Sequence, residues 1–450
     1  MPRKLVRSCD RCHRLKERCM WLDDSSSCVR CSRLGFPCSN TRPRRRIGRR
    51  PLSATSPQAT TTTNTILPTV PASDDATSLI YNGISDYTIY SSFLVGPAFW
   101  KCHYQTLILH FERHKPMLID AYLASVMSAA RSRNQNGMEA AGGGISASYR
   151  HASSALKRLR EMHVTDLDQA SACLTLGSMV MLFAMFQRPQ NTFTLARQTL
   201  ILIKPVYETV QCPDRQEFFF LPGTIIFEMV GCLIYGLPPT VKYRPPVSEV
   251  FVDRYLGLCT FLLPLFFRLC ELNSMHSTED RGDDATVTQA LNGLEAEVLA
   301  WQPTVPADIC LHMSALEMAH VSCQTQAMRL AALLIIYRLR FPFGLNDLPA
   351  RAMAMSVLTQ LETTLSITGK AVKFAILPVL LGCVELKDHA EQEIWLARVP
   401  ELVSCSKEYG LHIQCLIKSF WTVRDSGFSF KGYNIGRFLS PHDGSMNFWG

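Results

Sequence analysis

The sequence predicts a large all-α domain preceded by a small unit that something other than a hydrophobic core must hold together. Three observations lead there. Six of the 17 cysteines fall within residues 9–38. A stretch of Thr, Ser, Pro and Ala follows at 51–78, a composition that builds no core and reads as a linker. Beyond it, apolar residues recur at helical spacing, and alternating strand patterns are scarce. The expected organisation is therefore 1–50, a disordered linker at 51–78, and an all-α domain at 79–450.

The six cysteines are Cys9, Cys12, Cys19, Cys28, Cys31 and Cys38, spaced C-x2-C-x6-C-x8-C-x2-C-x6-C, one half-pattern written twice. Each half sets two thiolates within reach of one ion and returns a third from the far end of a short helix. Tetrahedral zinc takes four sulfurs at about 2.3 Å, so six cysteines serve two ions only if two of them bridge. Repeated C-x2-C pairs read as zinc sites, and the duplicated C-x2-C-x6-C is more specific still. So short a segment buries little, and the unit is expected to be zinc-stapled, with two Zn2+ per chain. Wound at 3.6 residues per turn, residues 11–19 turn Cys12, Leu15 and Cys19 toward the metals. Arg11, Arg14 and Arg18 then share a neighbouring stripe, and Lys16 lies on the opposite flank. In the second half, Gly35 followed by Pro37 is a helix stop.

Charge is distributed as unevenly as cysteine. The net charge of +8 hides 15 Lys/Arg against 4 Asp/Glu in residues 1–50, or +11, and 31 against 34 in the rest, or −3. Two zinc ions on six thiolates change the first figure by about −2. The positive surplus thus sits wholly at the N-terminus, the electrostatic footprint of a nucleic-acid binder.

The cysteine stretch resembles the fungal binuclear zinc cluster family of transcription factors. The likeness rests on Cys-Asp-Arg-Cys-His-Arg-Leu-Lys-Glu-Arg-Cys at 9–19 and Cys-Val-Arg-Cys-Ser-Arg-Leu-Gly-Phe-Pro-Cys at 28–38, about a tenth of the chain. The resemblance implies that Cys9 and Cys28 bridge, that Cys12 and Cys19 complete one zinc site, and that Cys31 and Cys38 complete the other. It also implies that Lys16, four residues after the second cysteine, reads bases, in CGG-type half-sites. Two features differ from the family's usual pattern: His13 stands where a basic residue is common, and the loop at 20–27 has no proline.

Residues 42–50, Arg-Pro-Arg-Arg-Arg-Ile-Gly-Arg-Arg, supply Arg42, Arg44, Arg45, Arg46, Arg49 and Arg50. Such a run binds phosphates or a narrow minor groove, and also serves as a nuclear import signal. Its Arg-x-Gly-Arg at 46–49 is similar to a stretch in regulators of aflatoxin-type gene clusters. No a/d heptad pattern is sustained after the cysteines, so the usual coiled-coil dimer is not expected. Residues 74–90 mix three Asp with three Tyr and are expected to be a disordered lead-in, with an acidic-aromatic activation segment as the other reading.

From about Phe93 the pattern is helical. Helices are expected at 121–133, 148–162, 166–186, 192–210, 217–235, 252–273, 287–301, 312–340, 350–367, 373–386, 390–405 and 411–423. Asp166 is a cap. Gly142, Gly143 and Gly144 read as a turn, Pro189 as a break, and residues 278–284 as a polar loop. The eleven further cysteines sit among apolar residues and read as reduced core thiols. No apolar signal-peptide core opens the chain, and no run of eighteen apolar residues is found, so no membrane span is expected. His103, His110 and His114 share a helical face without an acidic partner at metal-ligand spacing, and read as core or surface residues. The stripes at 218–220 and 262–267 read as core rather than ligand pocket. No phosphate loop, dinucleotide fingerprint or nucleophile elbow is present, which argues against an enzyme.

These readings converge on a DNA-binding transcription factor of RNA polymerase II genes, in the nucleus, with double-stranded DNA as its partner. Lys16 would read bases, with Arg11, His13, Arg14, Arg18 and the arginines of 42–50 beside it. The helical domain is left to recruit the transcription machinery or co-regulators, to sense a signal, or to supply a homodimer contact. A secondary-metabolite biosynthetic gene cluster is the expected target. The alternative is a zinc-dependent protein-interaction factor that no longer reads DNA.

Overall fold

A computed structural model describes residues 9–14, 19–21, 27–39, 73–134, 143–210, 214–245, 251–275, 284–307, 309–427 and 431–438. The chain divides into two compact units, Met1–Leu67 and Pro68–Gly450. The described residues of the first form two single-turn helices, α1 (Asp10–Arg14) and α2 (Val29–Arg33). Neither has the length to persist alone in water.

The second unit is all-helical among the described residues, with one isolated bridge, Asp253 to Gly257, and no strand. It begins with α3 (Ser73–Ser85), α4 (Tyr87–Tyr90), α5 (Trp100–Arg113), α6 (Lys115–Asn134), α7 (Gly143–Glu161), α8 (Leu167–Gln187), α9 (Thr192–Thr209) and α10 (Leu221–Tyr235). It continues with α11 (Leu263–Met275), α12 (Asp284–Ala300), α13 (Ile309–His312), α14 (Ala315–Arg340), α15 (Asp347–Thr368), α16 (Ile376–Val384), α17 (His389–Leu402) and α18 (Lys407–Asp425).

Helix starts carry the expected chemistry. Asp166 caps α8 by accepting the Gln169 N–H at 2.8 Å, and Ser314 with Glu317 forms a capping box on α14. Asp388 and Ser406 accept the Glu391 and Tyr409 N–H groups and so cap α17 and α18. α10 stops at Gly236, whose φ of 62° is left-handed.

Helix α8 packs between α6 and α9 and is buried on every side from Ala170 to Met185. It is the one described helix long and apolar enough to cross a membrane, but 89% of its most apolar window lies inside the fold. An all-round apolar helix of this kind is a core helix. Gly177 permits the close approach of α9, because a Cβ there would collide with the Thr199 side chain. A second layer pairs α14 with α15, and α12, α16 and α11 also pack on α14. One continuous core runs from Ala76 to Ile435. An ion pair is buried within it: the Arg338 Nε donates to both Glu385 carboxylate oxygens at 3.0 Å, and the Tyr433 hydroxyl donates to Glu385 Oε1 at 2.8 Å.

Several expectations are corrected. Residues 73–78, read as linker, open α3, and residues 74–90 are two helices rather than a disordered lead-in. Ile80 and Ile84, one turn apart, are both fully buried, and Tyr81, Tyr87 and Tyr90 pack edge-on or stacked against Phe111 and Trp100. The helix expected from 252 begins only at Leu263. Asp253 Oδ1 accepts the N–H groups of Tyr255 and Leu256, and Gly257 turns back at φ +55°, so a side-chain turn wins over helix. Gly143 and Gly144 lie in the first turn of α7 rather than in a turn. Cys102 and Cys415 are exposed, whereas Cys173, Cys232, Cys259, Cys270, Cys323, Cys383 and Cys405 are buried free thiols. Most of the polar loop at 278–284 lies outside the described residues; Asp284 starts α12.

Candidate metal centre

The two cysteine half-patterns fold into two copies of one arrangement. In the first, Cys9 Sγ accepts the Cys12 N–H at 3.4 Å, and Cys19 Sγ accepts the Cys9 N–H at 3.2 Å. In the second, Cys28 Sγ accepts the Cys31 N–H at 3.4 Å, and Cys38 Sγ accepts the Cys28 N–H at 3.3 Å. The equal sequence offsets thus become equal hydrogen bonds. Cys28 is also the N-cap of α2. That helix ends as Gly35 and Pro37 suggested: Gly35 is left-handed at φ +65°, its N–H donates to Ser32 O at 3.3 Å, and the Phe36 N–H donates to Cys31 O at 3.0 Å. The halves are tied by the Val29 N–H donating to Met20 O at 2.9 Å, and by the Asp10 N–H donating to Ser39 O at 2.8 Å. The Arg11 guanidinium lies 3.6 Å over the Phe36 ring.

The sulfurs form two groups of four. Cys9, Cys12, Cys19 and Cys28 make one, and Cys9, Cys28, Cys31 and Cys38 make the other, with all Sγ atoms of a group within 4.8 Å of one another. Cys9 and Cys28 belong to both. The Cys9–Cys28 and Cys9–Cys31 sulfurs are 3.7 Å apart, and the Cys12–Cys28 sulfurs 3.8 Å. A tetrahedron with metal–sulfur bonds of about 2.3 Å has edges of about 3.8 Å, whereas a disulfide needs about 2.05 Å. The donor set therefore fits metal, and fits zinc in particular because four thiolates are its usual structural shell.

Electrostatics separates the two shared cysteines from the others. Burial alone would raise the Cys28 thiol, but the Cys31 N–H and the neighbouring thiols outweigh it and bring it down to about 6. Cys9 is likewise lowered, against burial, chiefly by the Cys12 N–H. Cys12, Cys19, Cys31 and Cys38 are raised, first by burial, with Cys31 reaching about 12. Close thiols cannot all ionise without a cation to balance them, and metal binding releases their protons.

Of the residues expected to meet nucleic acid, only Arg11 has a described side chain. His13 and Arg14 are placed on α1 by backbone; Lys16, Arg18, Arg42, Arg44, Arg45, Arg46, Arg49 and Arg50 lie outside the described residues. The described part of the helix expected at 11–19 is α1. His103 and His110 of α5 and His114, its C-cap, are all buried, in line with a core reading. His110 Nε2 pairs with Gln216 O at 3.0 Å, and His103 packs among Tyr90, Trp100, Phe219, Phe220 and Tyr255. Sequence reasoning missed the second role of the cysteine sulfurs, accepting backbone N–H groups; the repeated offsets of three and ten residues were the available signal.

No curated protein and no solved structure matches the chain. Residues 87–431 match the family described as the fungal specific transcription factor domain. That match spans most of the helical unit and well over half of the sequence, and the chain therefore belongs to this family and is a fungal transcription regulator.

Proposed function

We propose that the chain is a sequence-specific DNA-binding transcription factor of RNA polymerase II genes, working in the nucleus, whose N-terminal unit holds a zinc binuclear cluster. The observation that carries the proposal is the sharing of Cys9 and Cys28 by two four-sulfur groups at tetrahedral separations. It stands in a chain whose other unit belongs to a transcription-factor family. Cys9, Cys12, Cys19 and Cys28 would hold one ion, and Cys9, Cys28, Cys31 and Cys38 the other. The ions would supply the cross-links that a unit with so little core lacks.

In this reading residues 1–50 form the DNA-binding domain, 51–78 contain the linker, and the helical unit is the regulatory part. Lys16 reads the base edges of CGG-type half-sites in the major groove, where lysine pairs with guanine O6 and N7. Arg11, His13, Arg14 and Arg18 contact the flanking backbone, and the arginines of residues 42–50 track phosphates. The partners of the helical unit are the transcription machinery or co-regulators, and a homodimer contact would come from this unit. The target is a secondary-metabolite gene cluster, by the likeness of residues 46–49. No catalytic role is proposed.

A mobility shift of zinc-loaded full-length protein tests this on CGG-containing and scrambled duplexes. Preference for CGG, lost on chelation and restored by zinc, is expected. Retention of zinc with equal affinity for both duplexes would favour a protein-interaction factor instead.

A further inference from the structure

The helical unit holds an apolar cavity of about 50 Å3 where α4, α5, α8 and α10 meet the turns carrying Tyr255 and Phe374. No side chain of Asp, Glu, Lys or Arg lines it. Its apolar wall is led by Met179, Met181, Leu182, Met185 and Phe227. Ser178 and Thr224, also in the wall, pair with each other through hydroxyls 3.3 Å apart. Two polar atoms of the wall residues have no such partner. Tyr90 Oη and His103 Nε2 make no hydrogen bond, although the residues are only 3% and 1% exposed. Their rings lie 5.2 Å apart, centroid to centroid, and both residues line the same cavity.

A buried polar atom without a partner destabilises a fold, and the great majority of such atoms are paired. Two of them beside one cavity point to a partner that enters it. The far wall is held firmly. Gln324 Nε2 donates to Tyr255 O at 3.0 Å and to Lys373 O at 2.8 Å, pinning the two turns together. Phe374 sits at φ +50°, a conformation that a phenylalanine seldom adopts, and its ring meets Phe93, Phe227 and Tyr255. The opposite wall can yield, because the thioethers of Met179, Met181 and Met185 adapt to what they cover. Such yielding is needed: an engineered core cavity that takes up benzene measures roughly 150 Å3.

We propose that this cavity binds a small uncharged molecule of one ring with one hydroxyl, a simple phenol in chemical class. Its oxygen pairs with Tyr90 Oη and His103 Nε2, and its ring lies against the methionines. Burial, and then the Arg254 charge, keep His103 neutral, so this wall favours no anion. Nδ1 of His103 lies 3.4 Å from the Tyr255 hydroxyl, and in either tautomer Nε2 offers one donor or one acceptor to the guest. The proposal does not depend on how the N-terminal unit works.

Calorimetric titration of the full chain with phenol and with toluene, its near-isostere without the polar oxygen, tests it. Both are expected to saturate, with phenol about tenfold tighter because only phenol satisfies the buried pair. Tyr90→Phe and His103→Phe together should remove that advantage while toluene still binds. Leu182→Phe, which fills the space, should abolish binding of both and leave the unliganded chain folded. If Leu182→Phe fails to fold, the comparison of phenol and toluene in Tyr90→Phe alone decides. Absence of saturation by either compound, equal affinity for both, or an undiminished phenol advantage in the variants lacking the polar atoms would overturn the proposal.

Discussion

In the N-terminal unit the buried core is Cys9, Cys12, Cys28 and Cys31, and nothing else among the described residues. In the helical unit it is one large cluster from Ala76 to Ile435 with two small satellites beside it. Cys12, Cys19, Cys31 and Cys38 are raised by burial as the thiols of the helical unit are, and only the two shared sulfurs, Cys9 and Cys28, depart from that. Cys173, Cys259, Cys383 and Cys405 stand in apolar surroundings, and burial pushes each thiol up to about 12. Cys9 and Cys28 are just as buried yet lowered, because backbone N–H groups and other sulfurs surround them. Burial in apolar surroundings makes an inert thiol, whereas the clustering of four sulfurs around one point is what makes a ligand set. One unit is thus predicted to depend on metal and the other on packing, and the two should fail under different insults.

The largest effect should come from chelation, or from Cys28→Ala, which removes a sulfur shared by both groups. Structural zinc of this kind contributes roughly 10–16 kcal/mol of apparent binding energy, so the N-terminal unit should lose its fold and its DNA binding. Circular dichroism of the helical unit should hardly change, and parallel loss of both would break the comparison. Glu385→Ala is the converse. It leaves the Arg338 charge, whose side chain is only 1% exposed, with Asp347 at 2.9 Å as its remaining carboxylate, unpairs the buried Tyr433 hydroxyl, and should cost about 1–3 kcal/mol. Thermal unfolding checks it, with zinc content expected to stay unchanged.

Lys16→Ala should cost about 1–3 kcal/mol of preference for the specific site over random DNA. Replacing Arg44, Arg45 and Arg46 should weaken all sequences alike and flatten the salt dependence. Equal loss on both duplexes for Lys16→Ala would remove Lys16 from base readout.

The smallest effect is on pH. Burial, helped by Lys373 and Lys370, lowers the His320 pKa from 6.5 to about 4. As pH falls through that window the unfolded chain takes up the proton first, so stability present at neutral pH is lost on acidification. Urea midpoints at pH 7 and pH 5 should differ less in His320→Gln than in the parent chain.

The sequence was most legible where one physical rule acts alone. The helix of Leu167–Gln187 followed from its apolar run and its Asp166 cap, and the paired cysteine groups followed from duplicated spacing. It was least legible where tertiary contacts decide. Ser73–Ser85 has a linker-like composition at its start, and its place depends on burying Ile80 and Ile84 in a core far along the chain. The delayed start of α11 depends on Asp253 and Gly257, whose local hydrogen bonds override an apolar stretch that reads as helix. Tyr90 reads in the sequence as part of a disordered lead-in and His103 as a core or surface histidine, because an unpaired polar atom becomes visible only when every neighbour is known.

In the proposed reading the first unit is built on two metal ions and the helical unit needs neither. Zinc analysis of the full-length protein, followed by chelation under circular dichroism and a CGG mobility shift, tests it most directly. Two zinc ions per chain, loss of the shift on chelation, and a preserved helical signal are expected. One ion per chain, or a shift indifferent to chelator, would contradict it.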